Sequence, residues 1–130
     1  VRGCADAKLV DVARVVAAGL LAAGDNISVC LDPSLGEGLG RALRSVGVAV
    51  TTASDEDWYA SLGASRVRLV GGNPSRAADE ADGDPDLALW ANEVTSAPQV
   101  ELLPFLREQS VSMTAHRFGN PDAGVLSVRL

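Results

Sequence analysis

The chain has 130 residues, 47% of them hydrophobic and 22% charged, and a formal net charge of −6. This composition is typical of one globular domain with a buried core rather than of a disordered segment. The acidic balance and the 4% of aromatic residues argue against a nucleic-acid binder, which needs a basic face and stacking platforms. They also give no reason to expect attraction to an anionic membrane.

The sequence carries no recognisable targeting or membrane segment. Its first residues lack the basic, apolar and small-residue order of a signal peptide. The most apolar stretch, residues 12–23, contains Arg14 and is too short to span a bilayer. Cys4 and Cys30 form neither a disulfide framework nor a metal-binding CxxC motif. We therefore expect free thiols in the reducing cytoplasm, with Cys30 buried in an apolar run.

Hydrophobic spacing predicts alternating helices and strands through the first half of the chain. The first helix is predicted over residues 8–23, with Asp6 as its cap and Gly24 at its end. Further helices are predicted over residues 35–45 and 55–62, the second of them capped by Ser54. A strand is predicted after each of these helices, over residues 26–31, 46–52 and 66–70.

The remainder of the chain is less regular. Residues 73–86 are polar and acidic, which predicts a loop with at most one helical turn. A strand over residues 87–90 and a helix over residues 100–108, with Pro104 in its first turn, are expected next. Residues 111–114 and 125–130 alternate like strands and are separated by a turn-rich segment.

This order of elements predicts an α/β fold, a three-layer sandwich with a mostly parallel sheet. We interpret residues 1–130 as a single domain. Residues 110–130 are predicted to form a strand or hairpin that protrudes from it.

A glycine-rich run, from Leu35 to Arg41, follows a predicted strand and opens a predicted helix. A dinucleotide fingerprint requires G-x-G-x-x-G, in which the third glycine allows close packing of the helix. Arg41 stands at that third position, and Gly38 and Gly40 fall inside the predicted helix. An ordinary helix start is therefore favoured over nucleotide binding at this run.

The turn Gly71-Gly72-Asn73 follows a predicted strand, at the edge where open α/β sheets bind ligands. Its backbone amides are a candidate site for an anion or a nucleotide phosphate. The alternative is a purely structural turn, because strand-to-helix connections use glycine for its conformational freedom.

His116 is the only histidine, so a Ser-His-Asp or Cys-His site would have to use it. No motif ties a nucleophile to His116, and a structural role is favoured over a small hydrolase. One histidine without a neighbouring cysteine or glutamate disfavours a zinc site, and the acidic residues 79–86 lack the ligand spacing of a calcium loop. We therefore assign no catalytic, cofactor-binding or metal-binding residue to this segment.

Several stretches resemble known sequences. Three segments are similar, in their order and in their residue composition, to the cofactor-domain core of aldehyde dehydrogenases. They are "RVVAAGLLAAGDNISVCLDP", "GLGRALRSVGVAVTT" and "SRVRLVGG". The segment "VELLPFLREQSVSMTAHRFGNP", Val100 to Pro121, closely resembles the extreme C-terminus of actinobacterial bifunctional proline dehydrogenase/1-pyrroline-5-carboxylate dehydrogenases, the proline utilization A type.

The resemblance implies a parent enzyme that oxidises proline with FAD and then oxidises glutamate semialdehyde to glutamate with NAD. It also implies that this segment is an additional C-terminal domain, similar to a truncated aldehyde dehydrogenase cofactor domain, that encloses the path between the active sites and supports assembly. The family's E-L-G-G motif is absent after Gly72, and Cys30 lies in the wrong place for the catalytic nucleophile. A non-catalytic segment is thus expected.

Two hypotheses follow. In the first, this assembly domain contacts the remainder of the parent chain or a second subunit, as in a homo-oligomer, and Arg117 and Phe118 are the candidate interface residues. In the second, the chain is a free-standing small α/β protein that binds a nucleotide or anion at the Gly71-Gly72-Asn73 turn. Thermal stabilisation by NAD would distinguish the second from the first, because a ligand that binds only the folded state raises its stability.

Overall fold

A five-stranded parallel sheet organises the protein. The computed structural model describes residues 1–63 and 66–107, together with the backbone of two short strands near the C-terminus. The strands of the sheet are β1 (Arg2–Gly3), β2 (Ser28–Leu31), β3 (Ala49–Thr52), β4 (Arg66–Val70) and β5 (Ala88–Trp90). Their spatial order is β3-β2-β1-β4-β5, and every neighbouring pair is parallel. This is the order of the first five strands of a doubly wound sheet.

Five helices cover the two faces of the sheet. They are α1 (Leu9–Ala23), α2 (Glu37–Ser45), α3 (Asp55–Ala60), α4 (Pro74–Glu80) and α5 (Pro98–Leu102). One apolar cluster joins α1 and α2 to the sheet through Val12, Val16, Leu43 and Val29. A second cluster joins α3 and α4 to the opposite face through Tyr59, Ala77 and Leu69. The predicted three-layer α/β sandwich is therefore confirmed.

Local sequence signals explain several helix ends. Gly24 follows the last residue of α1 with φ of 57°, a left-handed conformation that glycine adopts without a steric cost. The hydroxyl of Ser54 accepts a hydrogen bond from the amide of Asp57 and caps α3, as predicted. Among the described residues, no helix combines the length and the apolar character needed to cross a membrane.

The order of the predicted elements is largely confirmed, with three differences. The central strand β1 was missed. Part of the predicted acidic loop is the helix α4, because the Asn73 side chain accepts hydrogen bonds from the amides of Ser75 and Arg76, and Pro74 occupies the first turn. The helix predicted over residues 100–108 begins at Pro98 and gives way to a single 3-10 turn, Leu103–Phe105, which contains Pro104.

Near the C-terminus, β6 (His116–Arg117) pairs with β7 (Asn120–Pro121) in an antiparallel ladder. The strands predicted over residues 111–114 and 125–130 lie outside the described residues. Phe118 also lies outside them, and the side chains of β6 and β7 are not described.

Candidate functional site

The candidate site is the crevice where the strand order reverses, between the carboxyl ends of β1 and β4. From β1 the chain moves to β2 and β3 on one side, whereas β4 and β5 lie on the other. Open α/β sheets bind ligands at this point. A groove of about 430 Å³ lies here, lined by the loop after β1, the turn after β4 and residues 91–94 after β5.

The carboxylate of Asp6 occupies part of this crevice. Its Oδ1 accepts a hydrogen bond of 2.6 Å from the backbone amide of Gly72. Asp6 was predicted to cap α1, and that prediction was wrong, because the helix begins after Lys8 without a side-chain cap. The carboxylate instead joins the loop after β1 to the turn after β4.

A second backbone amide of the turn that was predicted to bind an anion is hydrogen-bonded within the protein. Asn73 donates its backbone N–H to the hydroxyl oxygen of Tyr59 at 3.0 Å, and that hydroxyl in turn donates to the carbonyl oxygen of Asn73 at 3.3 Å. Burial raises the pKa of Tyr59 above its usual value, so the phenol stays protonated and available as this donor. Two amides of the Gly71-Gly72-Asn73 turn are therefore held by groups within the protein.

The two cysteines differ in their surroundings, and both are free thiols. Cys4 is fully buried; burial first, and the charge of Asp55 second, raise its pKa to about 12. Cys30 was predicted to be buried but is only half-buried. Its sulfur accepts a hydrogen bond from the guanidinium of Arg2 at 3.2 Å. At neutral pH Cys4 is a protonated thiol, which is a poor nucleophile.

A buried arginine joins the carboxyl ends of three strands. Arg2 on β1 is 1% exposed and donates to Asp55 at 2.5 Å and to the carbonyl of Ala53 at 3.1 Å. Its guanidinium lies 3.7 Å from a carboxylate oxygen of Asp32 and 5.3 Å from the centre of the Trp58 ring. These groups compensate the buried charge, and the cluster is a structural junction.

The glycine-rich run belongs to the β2–α2 connection. Gly38 and Gly40 lie inside α2, as predicted. Asp32 follows β2, and its Oδ1 accepts hydrogen bonds from the hydroxyl and the amide of Ser34 at 2.6 and 2.9 Å. These bonds, the hydroxyl first, lower the pKa of Asp32. Its other oxygen accepts a hydrogen bond from the amide of Asp55 at 3.1 Å. Both oxygens of this carboxylate therefore bind groups within the protein.

Of the candidate residues that the sequence suggested, the structure places Gly71 and Gly72 at the crevice. Arg117 and His116 belong to β6, whose side chains lie outside the described part of the chain. Within residues 1–63 and 66–107, no group of three histidine, cysteine, aspartate or glutamate residues is arranged to hold a metal ion. The acidic residues of 79–86 are exposed.

Sequence reasoning missed the contact of Asp6 with Gly72 and the buried role of Arg2. The two residues of the Asp6–Gly72 bond are 66 positions apart, and no local pattern links them. Asp6 in front of a helix has the same sequence signature whether it caps that helix or reaches a distant turn.

Comparison with known proteins gives no relative. No family model matches the chain, and no curated protein and no solved structure matches it.

Proposed function

We propose that this chain is the C-terminal, aldehyde-dehydrogenase-like domain of a cytoplasmic bifunctional enzyme that oxidises proline to glutamate by way of 1-pyrroline-5-carboxylate. The domain performs no chemical step of its own. Its role is structural, in the assembly of the parent enzyme, while FAD and NAD serve the catalytic domains of that parent.

The observation that carries the non-catalytic part is the occupied crevice. Asp6 accepts a hydrogen bond from the amide of Gly72, and Tyr59 accepts one from the amide of Asn73. An aldehyde dehydrogenase needs a thiolate nucleophile and a carboxylate that activates water. The nearest thiol to the crevice, Cys4, is fully buried with its pKa raised to about 12, which does not suit a nucleophile.

The assembly role is supported by the resemblance of Val100–Pro121 to the family's C-terminal segment. Arg117 is on the short antiparallel ladder, and Phe118 follows it. Arginine and the aromatic residues, phenylalanine among them, are enriched at the cores of protein–protein interfaces. In the proposal, these two side chains pack on the remainder of the parent chain or on a second subunit.

The test replaces Arg117 and Phe118 with alanine in the full-length enzyme. We expect a smaller oligomer mass in solution and a longer transient time before glutamate forms from proline. Arg41→Ala, which removes an exposed arginine on α2, serves as the matched control and is expected to change neither quantity. An unchanged mass and transient time in the double variant would contradict the proposal.

The position of the groove at the strand reversal, where open α/β sheets bind ligands, supports a second candidate, a free-standing α/β protein that binds a nucleotide or anion at the Gly71-Gly72-Asn73 turn. In this candidate the ligand displaces Asp6 from the amide of Gly72. Lys8 lines this groove and supplies one positive charge. This candidate predicts that millimolar NAD raises the Tm of the 130-residue chain, whereas the assembly role predicts no rise.

A further inference from the structure

The contact of Asp6 with Gly72 lies where doubly wound sheets place the oxyanions of their ligands. A carboxylate and a phosphate offer the same kind of acceptor to a backbone amide, and both form charge-assisted hydrogen bonds with it. At 2.6 Å, the bond to Asp6 is short for a bond of this kind. The amide of Gly72 therefore already has an anionic acceptor from within the chain.

The turn after β4 is shaped around this carboxylate. Gly71 and Gly72 have φ of 71° and 74°, a left-handed region that favours glycine. A Cβ on Gly71 would lie 2.4 Å from Oδ1 of Asp6 and 3.0 Å from the amide nitrogen of Ala7. The turn and the loop after β1 thus approach each other too closely for any side chain at Gly71, and this closeness brings Asp6 within reach of the Gly72 amide.

The net negative charge of the groove also disfavours the binding of an anion. Three carboxylates line it, from Asp6, Asp11 and Glu93, against one ammonium group from Lys8. Asp11 is partly compensated by Arg14, at 3.2 Å. The remaining negative charge disfavours the approach of a polyanion.

We propose that Asp6 is an internal occupant of the crevice, whose carboxylate holds the Gly72 amide and thereby excludes oxyanions such as phosphate and pyrophosphate. This exclusion rests on the contact that also supports the non-catalytic part of the proposed function, but not on the assembly role, which is supported by the resemblance of Val100–Pro121. An enzyme that assembles through those residues could have an open or a closed crevice.

The test follows the backbone amide of Gly72 by NMR in the ¹⁵N-labelled 130-residue chain during titration with inorganic pyrophosphate. In the wild type the Gly72 resonance is expected to stay in place to millimolar concentration. In Asp6→Ala the amide is released, and a saturable shift of its resonance is expected. Asp6→Asn keeps the acceptor oxygen but removes the charge, so a saturable shift is expected only at a higher pyrophosphate concentration than in Asp6→Ala.

Glu93→Gln is the matched control, because it removes a groove carboxylate that makes no described hydrogen bond to Gly72. Its Gly72 resonance is expected to behave as in the wild type. Asp6→Ser, with a short polar side chain, replaces Asp6→Ala if the alanine variant does not fold. A saturable shift in the wild type, no shift in a folded Asp6→Ala or Asp6→Ser chain, or tighter pyrophosphate binding by Asp6→Asn than by Asp6→Ala would overturn the proposal.

Discussion

Arg68 on β4 and Glu101 on α5 form a buried ion pair in which Nε and Nη2 of the arginine donate to the same carboxylate oxygen, at 3.2 and 2.9 Å. The two residues are 3% and 4% exposed. The other oxygen of Glu101 accepts a hydrogen bond from the amide of Thr95 at 2.7 Å. Nη1 of Arg68 donates to the carbonyls of Leu69 and Asn92, both at 2.8 Å. Every guanidinium nitrogen and both carboxylate oxygens thus have a hydrogen-bond partner, and the pair holds α5 against the sheet.

Glu101→Gln is expected to lower the free energy of unfolding by about 3–5 kcal/mol, because it leaves the Arg68 charge buried without a counterion. The measurement is equilibrium unfolding in urea. Arg68→Met combined with Glu101→Leu removes both charges and is expected to recover much of that loss.

The comparison for this pair is Asp11→Asn, which breaks the ion pair of Asp11 with the half-exposed Arg14. An exposed pair contributes at most about 1 kcal/mol, so a small effect is expected. A Glu101→Gln loss no larger than that of Asp11→Asn would contradict the assigned role of Glu101.

Gly19 and Gly38 are both helical glycines, but alanine is expected to act in opposite directions at the two positions. A Cβ on Gly19 would lie 2.9 Å from the Phe105 ring, whereas nothing lies within 4 Å of a Cβ on Gly38. Gly38→Ala is expected to raise the free energy of unfolding by about 0.5 kcal/mol, since alanine restricts the unfolded chain. Gly19→Ala is expected to lower it, because the ring must move. Thermal unfolding of both variants measures this, and stabilisation by Gly19→Ala would contradict the packing of Phe105 on α1.

The two thiols are expected to react differently with iodoacetamide at pH 8. Cys4 is fully buried and its pKa is raised to about 12, so it stays a protonated, inaccessible thiol in the folded chain. Cys30 is half-buried and is expected to be alkylated first. Mass spectrometry of peptides from the native and urea-unfolded chain gives the labelling order. Equal rates at Cys4 and Cys30 in the native chain would show that Cys4 is accessible.

Ser34→Ala is expected to reduce stability at neutral pH but not at strongly acidic pH. The hydroxyl of Ser34 lowers the folded-state pKa of Asp32 below its usual value of 3.8. A lowered carboxyl pKa contributes stability above the unfolded pKa, and this contribution is lost as the pH falls through the folded pKa. The difference in free energy of unfolding between wild type and Ser34→Ala should therefore shrink at low pH. Ser75→Ala, at an exposed serine, is the control, and a pH-independent Ser34→Ala difference would contradict the charge coupling.

The sequence predicts most of the layers of the fold but not its centre. The second and fourth strands follow β-branched and apolar runs, and Ser54 and Gly24 mark helix ends by their own chemistry. By contrast, β1 consists of Arg2 and Gly3, neither of which is a typical strand residue. Its central position results from pairing with β2 and β4 together, which is a property of the folded sheet.

The candidate site is predictable only in its location. A glycine turn after a strand indicates the edge of the sheet where ligands bind, and Gly71 and Gly72 lie at that edge. Which group occupies the turn depends on a contact between residues far apart in sequence, as with Asp6 and Gly72. Similarly, the charge of Arg2 suggests a surface residue until the carboxylates after β2 and β3 come together around it.

If this chain serves as the proposed C-terminal assembly domain of a larger bifunctional enzyme, it is part of a much longer polypeptide in the cell. The most direct measurement is an immunoblot of a lysate of the source organism with an antibody raised against the 130-residue domain. The proposed function predicts a single band at a mass many times that of a 130-residue chain. A single band at the mass of the 130 residues alone would contradict it and would favour the free-standing ligand-binding protein.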